Sequence, residues 1–185
     1  MKLYGKGGRT FRCLWMLEEA GLLYERSLVD WSIGESRTPS FLRINPNGKV
    51  PVLEDGELVL FESLAINYHI ARTYAEHLWP ATQPNISRSI QWLAWAMGEL
   101  EGPHDTANRT NSPVDGDRLG VSLNVLRTTL SRHEYMLGEE FTVVDLNTAC
   151  LLLRPQYKPV IRNDPALRDW FAMCTERQAL KLALN

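Results

Sequence analysis

The stretch NPNGKVPVLEDG, residues 45–56, limits what this chain can fold into more than any other. Two turn signals, Asn-Pro-Asn-Gly and Glu-Asp-Gly, bracket the run Lys49 to Leu53. The run has the character of a strand, yet Pro51 stands near its start. A proline cannot donate to a sheet ladder, so it belongs at a strand's first position, on an edge or at a bulge. Two readings follow. Pro51 can simply mark an edge strand. Alternatively, a cis Val50-Pro51 bond turns the amide and carbonyl of Val50 outward, where they can pair with an extended peptide-like ligand.

The flanking pattern supplies a sheet for that strand. Residues 2–4 (KLY) predict a strand, GKGGR (5–9) a glycine-rich turn, and residues 10–20 a helix with Phe11, Cys13, Leu14 and Leu17 on one face. Gly21 stops this helix. Residues 22–29 predict a second strand. A looser stretch, 30–47, holds a short helical piece at 40–44. After the run at 49–53 come a turn at Asp55-Gly56, a strand at 58–61, and a helix opened by Glu62-Ser63. Helices on a small mixed sheet are the architecture this order predicts.

Residues 77–86 carry two prolines and no periodicity, the mark of a linker. Beyond them no strand is evident. Helices are expected at 87–101, with Ile90, Trp92, Leu93 and Met97 on the buried face, and at 117–134, with Leu119, Leu123, Leu126 and Leu130 on one face. A polar loop is expected between them at 102–116. Thr142 and Asp145 form a capping box ahead of a helix at 143–153 that is apolar on most sides, and a last helix covers 165–176. The chain therefore divides into an α/β domain (1–76), a linker (77–86) and an all-α helical bundle (87–185).

Composition narrows the function. With 44% hydrophobic residues over 185, a core can be buried without staples. A formal net charge of -2 gives no footprint for nucleic acid. Three distant cysteines, Cys13, Cys150 and Cys174, argue against a disulfide framework and for a reducing, cytoplasmic setting. The four histidines are scattered, so no metal site is expected. The chain has no apolar run long enough for a membrane span, and MKLYGKGG leads directly into structure without the apolar core of a signal peptide.

Two further features could carry chemistry. At Phe61-Glu62-Ser63 a helix N-terminus attracts a carboxylate, Ser63 adds a hydroxyl, and Glu62 can pair with an ammonium. Together they suit an amino-acid head group, although an ordinary helix cap would look the same. In GKGGRTFR (5–12) a glycine-rich turn enters a helix carrying the Thr10 hydroxyl, and thiols near helix N-termini have lowered pKa values. Simple capping by Thr10 would again serve. Arg9 and Arg12 can add positive charge here or stand solvated. Cys13, on the apolar face, is expected to be a buried, inert thiol.

The order Gly-rich turn, FRCLWMLEEAGLLYE, NPNGKVPVLEDG, LFESLAINYHIA, WP, FTVVD resembles the glutathione S-transferases over nearly the whole chain, and most closely their bacterial serine- and cysteine-type members. The resemblance implies a thioredoxin-like N-terminal domain that binds glutathione, with no metal, and a helical domain with an apolar pocket. Val50, before a cis Pro51, would pair with the cysteinyl backbone of glutathione. Glu62 and Ser63 would hold its γ-glutamyl end, and Lys49 would lie near its glycyl carboxylate. The implied activity stabilises the glutathione thiolate for attack on a small electrophile or a disulfide, as in detoxification. The implied assembly is a homodimer. Trp92, Trp95 and Glu99 could border the electrophile pocket.

The chain departs from the family at the thiol-activating residue. Serine-type members carry Ser about four residues before the arginine matching Arg12, which is Gly8 here; cysteine-type members place Cys where Thr10 falls. Thr10 is the nearest hydroxyl and the first candidate, with Tyr4 the runner-up. The departure also leaves open a rival reading, a non-catalytic binding or scaffold member of the family.

Overall fold

The computed structural model describes residues 1–110, 112 and 116–184, with Asn108 and Arg109 described by their backbone alone. Its contacts group into two compact units, one of residues 1–76 with the C-terminal segment from Arg177, the other of residues 77–176.

The first unit is built on a four-stranded sheet of order β2-β1-β3-β4. Strand β1 (Lys2–Tyr4) pairs parallel with β2 (Glu25–Ser27), which requires the crossover made by helix α1 (Gly8–Glu19). Strand β3 (Val52–Asp55) runs antiparallel to β1 and to β4 (Leu58–Phe61). Helix α2 (Pro39–Ile44) precedes β3, and α3 (Ser63–Tyr74) follows β4. Leu3, Val52 and Leu53 are almost fully buried, as are Cys13 to Leu17 of α1 and Ile66 and Ile70 of α3. Removing such a side chain from water stabilises the fold by roughly 1.5–3 kcal/mol each.

Two strand limits differ from the sequence expectation. The second strand covers only three residues, because the helix exit reaches past Gly21: the Leu22 amide donates back to the Leu17 carbonyl. Strand β3 begins at Val52 rather than Lys49, since Pro51 has no N–H to give to the ladder. The C-terminal helix α10 (Gln178–Ala183), which the sequence reading placed in the helical domain, packs on α1 within this first unit. There Ala179, Leu180 and Ala183 are buried, and Arg177 donates two hydrogen bonds to the Glu19 carboxylate, at 2.6 and 2.7 Å.

The second unit is helical. Helix α4 (Gln83–Trp95) continues through a π-helical stretch (Ala96–Glu101) into α5 (Gly102–Thr110). The polar loop expected from residue 102 is thus helical to 110; Asn111 and residues 113–115 of it lie outside the described residues. Pro103 stands at the junction of the π-helical stretch and α5, where it has no N–H to give to the ladder. The buried face of this helical run is Ser89, Trp92, Ala96 and Leu100, at helical spacing. Ile90 and Met97, expected on that face, are 54% and 43% exposed. The large Trp92 and Leu100 share that face with the small Ser89 and Ala96, and α4 packs against α7 (Val143–Leu152). Helix α6 (Gly116–Leu130) buries Leu123, Leu126 and Leu130 as its leucine spacing predicts. Every residue of α7 is buried, and its N-terminus carries the Thr142–Asp145 capping box. Helices α8 (Lys158–Asn163) and α9 (Pro165–Thr175) complete the unit. Among the described residues no helix is long and apolar enough to cross a membrane.

Candidate functional site

The cleft of the first unit forms where three chain segments end together. It is a shallow concavity lined by Arg9, Asn45, Asn47, Lys49, Val50, Pro51, Phe61, Glu62 and Ser63. Six of the eight residues expected at the site, Arg9, Lys49, Val50, Pro51, Glu62 and Ser63, are therefore brought into one concavity.

The floor is the turn before β3. The Val50-Pro51 bond is cis. The β3 ladder starts at Val52, so the backbone of Val50 takes no part in it. Asn45 holds this turn: its side-chain amide donates to the Lys49 carbonyl at 2.8 Å, and its side-chain oxygen accepts from the Asn47 amide at 3.0 Å. This Asx-turn role was readable in the motif's leading asparagine, yet the sequence reading passed over Asn45 and Asn47. It also passed over Arg37, whose guanidinium packs against Gly48: a methyl group at Gly48 would meet Arg37 Nη1 at 2.8 Å.

One wall is the entrance to α3. Glu62 adopts φ 71°, the one positive φ among described non-glycine residues, in a region L side chains rarely occupy. It precedes a helix whose first turn receives no side-chain cap. Its carboxylate has no protein partner among the described residues. Ser63 Oγ accepts from Arg12 Nη1 at 2.9 Å, which leaves the hydroxyl proton of Ser63 to donate elsewhere. Arg12 itself is 2% exposed, so it is a buried charge behind this wall and not a solvated one.

The opposite wall is the start of α1. Gly7 caps it without a side chain, and its first turn holds no acidic residue. Thr10 is 2% exposed and does not line the cleft. Its hydroxyl is buried without a hydrogen-bond partner. A Cβ on Gly5 would stand 2.6 Å from Val50 Cβ and 2.7 Å from Thr10 Oγ1, so the Thr10 hydroxyl and the Val50 side chain both crowd against Gly5. Tyr4 is turned away. Its hydroxyl donates to Glu54 at 2.8 Å and its ring packs with Val29, Phe41 and Val52. Burial, with the Glu54 carboxylate, raises the pKa of this phenol. Cys13 is fully buried, with Sγ 3.7 Å from the Ser63 carbonyl.

In the second unit, Trp92 is buried in an edge-to-face contact with Trp95. The Glu99 carboxylate pairs with Arg118 at 3.2 Å.

A four-stranded mixed sheet flanked by helices, joined to an all-helical second unit, defines a two-domain protein with a thioredoxin-like first domain. Comparisons make the class specific. A family model described as "Glutathione S-transferase, N-terminal domain" matches residues 1–72, and one described as "Glutathione S-transferase, C-terminal domain" matches residues 113–178. Glutathione S-transferase 3 of Zea mays is 32% identical, over 98% of this chain and 91% of its own. Among solved structures, glutathione transferase F7 from Populus trichocarpa superposes with a TM-score of 0.83 at 26% identity, covering 99% of this chain and 97% of its own. A glutathione transferase family member from Pseudomonas fluorescens, with two glutathione molecules bound, gives 0.81 at 28%, covering 99% and 91%. The chain belongs to the glutathione S-transferase family and is a glutathione-dependent transferase. The expected leaning towards bacterial members is not borne out: curated relatives matching over most of the chain come from plants such as maize and tobacco.

Proposed function

We propose that this transferase holds glutathione along the cleft from Lys49 to Ser63 and activates its thiol at the start of α1. The observation carrying this reading is the convergence of three complementary groups on one concavity: the unladdered Val50 backbone, the partnerless Glu62 carboxylate, and Ser63 at an uncapped helix end. The cysteinyl backbone of glutathione pairs with Val50 as an added strand. The γ-glutamyl ammonium meets Glu62. Its carboxylate accepts from the Ser63 hydroxyl and the first turn of α3. Lys49 receives the glycyl carboxylate, with Arg9 adding positive charge.

The thiol then lies beside Gly5, Val50 and the start of α1. Thr10 is the proposed activator: its buried and partnerless hydroxyl lies against Gly5, as the Val50 side chain does. The thiolate attacks a small electrophilic or disulfide substrate taken up by the helical half. Leu58, Val59 and Phe61 of the edge strand β4 are about 40% exposed, which supports a homodimer that covers this edge. Three free cysteines support a reducing, cytoplasmic location.

Calorimetry with glutathione, cysteinylglycine and S-methylglutathione tests the binding mode, and a nitroaryl halide conjugation assay on wild type and Thr10→Ala tests the activator. Glutathione should bind at least tenfold more tightly than cysteinylglycine, and Thr10→Ala should lower the conjugation rate with little change in S-methylglutathione affinity. Equal binding of the dipeptide would overturn the assigned role of Glu62 and Ser63.

A further inference from the structure

The turn that lacks a serine is overlaid by a different donor. Three nearby residues of GKGGR meet the end of β2 and the segment that follows it. The Gly5 amide donates to the Ser27 carbonyl at 2.9 Å. Lys6 Nζ pairs with the Asp30 carboxylate at 2.5 Å. Trp31 Nε1 stands 3.7 Å from the point a Cβ on Gly7 would occupy. Asp30 also accepts from the Ser32 amide at 2.9 Å and so starts the 3₁₀ turn (Trp31–Ile33) that carries the indole. The Asp30 amide in turn donates to Glu35 at 2.6 Å. Lys6 and then Ser32 pull the Asp30 carboxyl down to about 2, so this anchor stays charged at all working pH values.

The indole is therefore placed by a built loop and not by burial. Trp31 is 61% exposed, and its N–H has no partner among the described residues. Indole N–H groups find a partner when they are covered, and a ligand seated at the start of α1 would cover this one. Gly7 is part of the arrangement, since any side chain there would enter the gap between indole and backbone. The backbone of Gly7, at φ 99°, also disfavours one.

We propose that the Trp31 indole N–H donates a hydrogen bond to the glutathione sulfur, assisting the uncapped start of α1 where this chain has glycine in place of serine. The inference rests on the glutathione reading above. The thiol proton leaves to solvent and the sulfur lone pair accepts from Nε1–H. An indole donates only and never gives up that proton, so Trp31 stabilises the thiolate without acting as a base.

Trp31→Phe keeps an aromatic side chain, smaller than the indole, and removes the N–H; being at an exposed position it should leave folding unchanged. The bound thiol pKa is read from thiolate absorbance against pH, and the affinity for S-methylglutathione, which forms no thiolate, is read by calorimetry. Trp31→Phe should raise the bound pKa by about one unit, a tenfold loss of thiolate below both values, with S-methylglutathione affinity unchanged. A bound pKa that is lowered equally in wild type and Trp31→Phe overturns this proposal and leaves the glutathione site standing. A parallel loss of S-methylglutathione affinity would show that the ring only shapes the cleft, and overturns it too. Glutathione failing to bind wild type would sink the reading of the site itself.

Discussion

Glu62 should be bad for the fold and good for the ligand, and replacing it by glycine separates the two. A non-glycine residue at φ 71° and ψ 109° stores roughly 1–3 kcal/mol of backbone strain. Glycine releases that strain but gives the unfolded chain about 0.4–1 kcal/mol more entropy to lose. Glu62→Gly should therefore leave the ligand-free protein between unchanged and about 2 kcal/mol more stable. It also removes the carboxylate assigned to the γ-glutamyl ammonium. A hydrogen bond to a charged group contributes about 1.5–3 kcal/mol, roughly a ten- to a hundredfold weakening of glutathione binding. Glu62→Gln, which keeps the strained backbone but not the charge, should weaken binding without the gain in stability. Urea unfolding and calorimetry measure the two sides. A ligand-free Glu62→Gly protein less stable by more than about 1 kcal/mol, or one binding glutathione as tightly as wild type, would refute the reasoning.

Other expectations concern the frame around the site. Gly5→Ala places a methyl 2.6 Å from Val50 Cβ at a φ of 123°, so it should cost about 1–3 kcal/mol in urea unfolding and abolish glutathione binding by displacing the Val50 edge. Arg177→Ala strips the largely buried Glu19 of its bidentate partner and leaves it only the Trp15 indole. Because Arg177 remains about a third exposed, the loss should be about 2 kcal/mol, short of the ~3–5 kcal/mol of a fully buried pair, whereas Arg168→Ala, at a solvent-facing pair, should leave the urea midpoint unchanged. His104 is buried and held by Tyr157 and by the Gln156 side chain. Burial, then Arg154, lowers its pKa below 6.5. The unfolded chain then binds the extra proton first, so stability should fall as pH drops below 6.5, and His104→Gln should flatten that slope.

The sequence exposed most of the binding site because turns and prolines act locally. Asn45 to Gly48, Pro51 and the Glu62-Ser63 helix start determine their own backbone, and the cleft follows from them. Hydrophobic periodicity also located α1, α3, α6 and the buried α7. It misjudged the helix after residue 83, where Ser89 and Ala96 face inward and the larger Ile90 and Met97 do not. It took 102–110 for a loop, since a buried His104 and a proline at 103 give no apolar signal. What could not be read was side-chain geometry across distant segments. Nothing local to Tyr4 shows that its hydroxyl reaches Glu54, nothing local to Thr10 shows that its hydroxyl is buried against Gly5, and nothing local to Trp31 places its indole beside Gly7.

The account's central claim is that this cleft turns glutathione into its thiolate despite having no serine at the start of α1. A donor contributing about 1.5–3 kcal/mol, together with a helix N-terminus contributing up to roughly 1 kcal/mol, is enough to lower a thiol from ~8.5 by about two units. The direct measurement is thiolate absorbance of the wild-type complex, at saturating enzyme, from pH 5 to 10. An apparent pKa near 6.5 is the predicted result. Glutathione that binds but titrates at its free value would contradict the account and leave a protein that holds the tripeptide without activating it.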